Sequence, residues 1–179
     1  MIDVAVRHIA SELNQHLQKL FYISEDIVTV DHIGHHTETP NQQNRLVLSL
    51  ININEDKTPT RANQARQAGA YQTVGASTPL NLDLHLLISA QFKPENYQES
   101  LKFITYTIDF FQKNITFTPE NSPTLKGEIE QLIMSMETLD IQDWNALWDS
   151  MGCRSMPAVM YSAKMLTHNE TKENEFLAL

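Results

Sequence analysis

Seven histidines, one cysteine and scattered carboxylates are the residues of this chain that could do chemistry. His32, His35 and His36 form its one histidine cluster, with Glu38 just beyond. Neutral imidazoles at that spacing could supply two ligands to zinc, which needs three or four at fixed distance. No cysteine completes the set, so the cluster reads as polar residues at a strand end and loop. His85 falls on the more polar face of a strand, where partial burial with one hydrogen bond is its expected state. Glu128 and Glu130 could pair as acid and base, but that work needs an enclosed cleft, and solvated charges are the simpler reading. Cys153 lies outside any recognised nucleophile context, and no Gly-x-Ser-x-Gly turn occurs. Gly34, Gly69, Gly75, Gly127 and Gly152 are too far apart for a phosphate-cradling loop. The reading assigns no catalytic residue, no cofactor and no metal ligand.

The remaining candidates are aromatic and basic. Trp144 and Trp148 stand four residues apart on one helical face and could pack a core or anchor a partner protein. Arg154 and Tyr161 follow them with the same two readings. Arg61 and Arg66 lie in a long polar stretch, and Phe176 leads the apolar end Phe176-Leu177-Ala178-Leu179.

The elements that must position these residues are legible in the periodicity. Ile2, Val6, Ile9, Leu13, Leu17 and Leu20 step by three and four, which predicts a helix over 2–21. Ile27 to Ile33 alternates weakly as a strand. Arg45 to Ile53 carries apolar residues on both faces, which predicts a strand covered on both sides. Leu82 to Phe92 alternates cleanly. Pro94 opens a second helix to about Asn114, with Tyr97, Leu101, Ile104, Ile108 and Phe111 as its stripe, widened by Phe103 and Phe110. Residues 115–127 read as loop. Residues 128–138 fit a helix through Ile129, Leu132, Ile133 and Met136, and a strand through Leu132, Met134 and Met136. Asp140 can cap the tryptophan helix, Gly152 can end it, and Pro157 can open a strand over 158–166. The order predicts an α+β fold, a mainly antiparallel mixed sheet of about four to five strands with helices packed on it. Residues 1–167 are expected to form one domain and 168–179 a mobile tail.

Composition narrows the function classes. Over 179 residues, 41% hydrophobic and 20% charged describe a globular chain. A net charge of −9 without basic clusters argues against nucleic acid as main partner. No apolar run approaches the ~18 residues of a membrane span. A single cysteine and an acidic start without a signal peptide lead to an expectation of assembly in the cytoplasm.

Three stretches carry a resemblance: Leu46 to Glu55, Pro79 to Ala90 with the helix after it, and Trp144 to Leu166. In this order the chain resembles the tail-terminator, or cap, proteins of phage-tail-like contractile injection systems, across nearly its whole length. The resemblance favours a strand at about 128–137. It implies a non-enzymatic structural part, a homo-oligomeric, hexameric ring that closes the tube and sheath end. It also implies sheath and inner-tube subunits as partners, within a particle that could be released or anchored. A tube-end or baseplate adaptor of the same apparatus is the alternative, and a small ligand-binding or enzymatic domain a more distant one.

Overall fold

The computed structural model describes residues 1–33, 44–56, 80–125 and 127–167. Its elements run α1 (Ile2–Phe21), β1 (Val28–Val30), β2 (Arg45–Glu55), β3 (Leu82–Gln91), α2 (Tyr97–Lys113), β4 (Thr116–Phe117), β5 (Ile129–Glu137), α3 (Ile141–Met151) and β6 (Ala158–Thr167). The strands form one sheet in the order β1-β2-β3-β6-β5-β4. Every neighbouring pair is antiparallel except β1 and β2, which run parallel. The fold is thus α+β with a mixed, mainly antiparallel sheet. It has six strands rather than four or five. The extra one is Thr116–Phe117, inside the predicted loop, and two residues are too few to show alternation.

One sheet face is covered by α1 and α2, which lie antiparallel. Phe21 meets Phe103 and Tyr106 at ring distances of 4.7 and 5.2 Å, and His16 meets Phe110 at 5.0 Å. Val6, Ile9, Leu13 and Leu17 are buried as their spacing predicts, against Leu46, Leu48, Leu84, Leu86 and Ile88. Asn14 is also buried in that helix. Its Oδ1 accepts from Ile27 N and Val28 N at 2.9 and 3.2 Å, tying α1 to the edge strand. The stripe of α2 differs from the predicted one. Tyr97 and Leu101 are exposed, and the buried row is Ser100, Ile104, Thr107, Phe110 and Phe111. Ser100 and Thr107 donate to Tyr97 O and Phe103 O, so their hydroxyls are satisfied inside the helix and can face the sheet at little cost.

The other face is covered only in part, by α3. Trp148, Val47, Leu87, Met160 and Ile33 form a second, smaller core. Asp140 Oδ1 accepts from Gln142 N and Asp143 N at 2.9 and 2.8 Å, so it caps α3 as predicted. Gly152 stops the helix at φ 64°. Pro157 then precedes β6, and its carbonyl accepts from Ala90 N. β2 is covered on both sides only over Leu46 to Ser49; Asn52 to Glu55 are exposed, because α3 does not reach them. The 27–33 strand shortens to Val28–Val30.

Candidate functional site

Where α3 leaves the sheet uncovered, alternation turns a set of polar side chains onto that face. A bulge at Ile51 shifts the register of β2, so Asn52 stands opposite His85 and Asn54 opposite Asp83. His85 is in turn opposite Ser162, and Ser162 opposite Ser135. The His85 ring, on β3, bridges β2 on one side and β5, beyond β6, on the other. Asn54 Nδ2 lies 2.9 Å from His85 Nε2, and His85 Nδ1 lies 2.9 Å from Glu137 Oε2. With the amide donating to Nε2, the imidazole carries its proton on Nδ1 and donates it to the carboxylate. Beside this row Ser162 Oγ donates to Asp83, and Lys164 Nζ lies 3.4 Å from Asp56 Oδ2.

Serine, histidine and glutamate therefore meet on one face, without the connectivity of a nucleophile. The Ser162 proton is directed at a carboxylate, and both His85 nitrogens are engaged elsewhere. The row can recognise polar groups and hold three strands in register. His85 is partly buried as predicted, with two partners rather than one. Asn54 and Glu137 went unpredicted, since they lie 31 and 52 residues from His85 and no local pattern links them.

A concave feature opens at the opposite end of the sheet, between the end of α1 and the start of α2. A cavity of about 380 Å³ has Phe21, Phe92 and Phe103 as its aromatic wall, with Arg45, Glu99 and Lys102 among the charged groups around it. Both signs of charge surround it.

The predicted candidates fall in three environments. Trp148 is 6% exposed and Trp144 half-buried, and their rings stack at 6.1 Å on the α3 core. Tyr161 is buried in the opposite core against Phe111, and burial pushes its hydroxyl up to about pKa 12. Arg154 is exposed in the turn before β6. Arg61, Arg66 and Phe176 lie outside the described residues, as do His35, His36 and Glu38. His32 is exposed, and Glu128 and Glu130 are exposed at the start of β5. Burial raises the Cys153 thiol above its ordinary value, which disfavours the thiolate. Among the described residues no three potential metal ligands converge, and no helix is long and apolar enough to cross a membrane.

A known family's model matches nearly the whole of this chain. The model of the Pvc16 N-terminal domain aligns with residues 5–176. The chain belongs to this family. Two solved structures share the fold of this Pvc16 N-terminal domain. One is the sheath/tube terminator, in its extended state, of the extracellular contractile injection system PVC, with TM-score 0.52 and 14% identity over 94% of this chain and 61% of that one. The other is the tube-terminating cap of the anti-feeding prophage, with TM-score 0.58 and 13% identity over 98% of this chain and 57% of that one. The chain thus spans about 60% of the length of the solved terminators it matches. No curated protein matches it by sequence. The family assignment agrees with the tail-terminator resemblance read from the three stretches.

Proposed function

We propose that this chain is a terminator of a contractile injection apparatus, closing the end of its tube and sheath as a ring of identical copies, six in number. The observation that carries the reading is the family match over residues 5–176, joined to the fold shared with two solved terminators. Its partners are sheath and inner-tube subunits, it assembles in the cytoplasm, and it acts through surfaces rather than catalysis. Residues 1–167 act as one structural unit, with 168–179 available to a partner.

The polar row on the sheet fits this role. A terminator needs surfaces that recognise protein groups, and around the engaged His85 ring the Asn54 amide keeps a second N–H and the Glu137 carboxylate a second oxygen. Mass measurement and electron microscopy of the purified protein test the reading. A ring, and a label on this chain found at one end of assembled particles, are the expected results. A label elsewhere on the particle would assign the chain to an adaptor role instead. A strict monomer that binds neither sheath nor tube would refute both.

A further inference from the structure

The two outermost strands of the sheet are far shorter than the strands they cover. β2 has eleven residues, and β1 pairs with Leu46, Val47 and Leu48 alone. β5 has nine, and β4 pairs with Leu132 and Ile133, with one more bond from Met134 N to Ile115 O at 2.7 Å. Beyond these short covers, Leu50 to Asn54 and Ser135 to Glu137 have no strand on their outer side among the described residues.

Backbone alternation shows which groups face outward. Asp56 N bonds Asn81 O across to β3, so residues 52, 54 and 56 face β3 and Ile53 turns its N–H and C=O away from it. Met134 N bonds outward to Ile115, so Met136 also faces outward, two residues on. Ile53 and Met136 are both exposed, at 44% and 51%. Their registered neighbours, Leu84 and Tyr161, belong to the core beneath α1 and α2, so both side chains border the same face. Neither stretch carries a lysine or proline, and Glu137, turned inward onto His85, is the one charge among Leu50 to Asn54 and Ser135 to Glu137. On β2 the Ile51 bulge is the protective device, and it leaves Ile53 beyond it.

We propose that copies of this chain join edge to edge, the β2 edge of one copy pairing antiparallel with the β5 edge of the next. Ile53 and Met136 would then stand opposite each other as a hydrogen-bonded pair. The second copy is the occupant these edges fit. Leu50, Leu86, Tyr161 and Met136 are registered in one row across the sheet, so the two open edges lie level. Three antiparallel steps separate β2 from β5, so they run in opposite directions, as antiparallel pairing between like-oriented copies requires. The contact is head to tail, the kind that closes into a ring when the rotation per copy fits. The inference rests on the ring reading above and names the surface that would build it.

Cysteine cross-linking tests it. In a Cys153→Ser background, Ile53→Cys with Met136→Cys should give a series of disulfide-linked oligomers on non-reducing denaturing gels, and each single cysteine only monomer. Separately, Ile53→Lys should shift the assembly to monomer with an unchanged circular dichroism spectrum, and adding Met136→Glu should restore it. A ring by mass measurement without the 53–136 cross-link overturns the edge pairing and leaves the ring reading standing. A dimer from Ile53→Cys alone assigns a two-fold β2–β2 contact and also overturns it. A folded protein monomeric at every concentration refutes both.

Discussion

Truncating Trp148 should cost the fold far more than truncating Trp144. Trp148 is 6% exposed and sits among Val47, Leu87, Met160 and Ile33, the core that holds α3 on the sheet. An indole buries on the order of 200 Å², which at about 25 cal/mol per Å² sets an upper value of ~5 kcal/mol. Large aromatic truncations in cores cost about 3–5 kcal/mol, so Trp148→Ala should fall in that range. For a chain of this size each kcal/mol lowers Tm by roughly 2–4 °C. Trp144 stacks on Trp148 from the half-exposed side, so Trp144→Ala should lose about half as much. Urea titration followed by far-ultraviolet circular dichroism measures both. In Trp148→Ala the remaining Trp144 reports by its fluorescence whether α3 detaches before the sheet unfolds. A loss under about 1 kcal/mol for Trp148→Ala, or equal losses for the two variants, would refute the assignment of Trp148 as the anchor of α3.

Three further outcomes follow from the same structure. Asn14→Ala should cost about 2–3 kcal/mol, because it leaves Ile27 N and Val28 N without their acceptor; amide exchange at 27–30 should accelerate, and unchanged protection there would dispose of the clamp. Asp140→Ala should cost about 1 kcal/mol in urea titration, since two amides of α3 lose their cap; a neutral result would remove the cap from the account of that helix. Burial lowers the folded pKa of His8, against the opposing pull of Glu12, and burial with Lys113 and Lys19 lowers that of His16. The folded state then binds fewer protons than the unfolded chain, so stability falls as pH drops through the unfolded histidine range and levels off below the folded values. His8→Gln with His16→Gln should flatten the loss of stability between pH 7 and pH 5, and an unchanged slope would contradict the assignment.

Much of the fold was readable because its signals are local. Asp140, Gly152 and Pro157 act on the residues beside them, and α1 and β3 each expose a single periodicity. β5 was ambiguous for a physical reason. Leu132 and Met134 face the core, Ile133 is half-buried on the opposite face and Met136 sits at an open edge, so neither period is clean. β4 was too short to read. The α2 stripe misled because Ser100 and Thr107 bury their hydroxyls by bonding to their own helix. The polar row was illegible because three strands assemble it. Only His85 announced itself, through its place in an alternating strand, and nothing local marked Asn54 or Glu137 as its partners.

The place of β6 has a consequence for when the protein can fold. β1, β2 and β3 are neighbours in chain order, and so are β4, β5 and β6, but the two halves meet at β3 and β6 in the middle of the sheet. A growing chain on the ribosome therefore carries β3 with one side bare until residues 158–167 emerge. Among the described strands the central seam closes last, and loop closure between residues so far apart is slow. A nascent chain cannot present both sheet edges in register before that step. The edge pairing proposed above would thereby be deferred until synthesis has passed β6, which would keep half-made copies out of a ring.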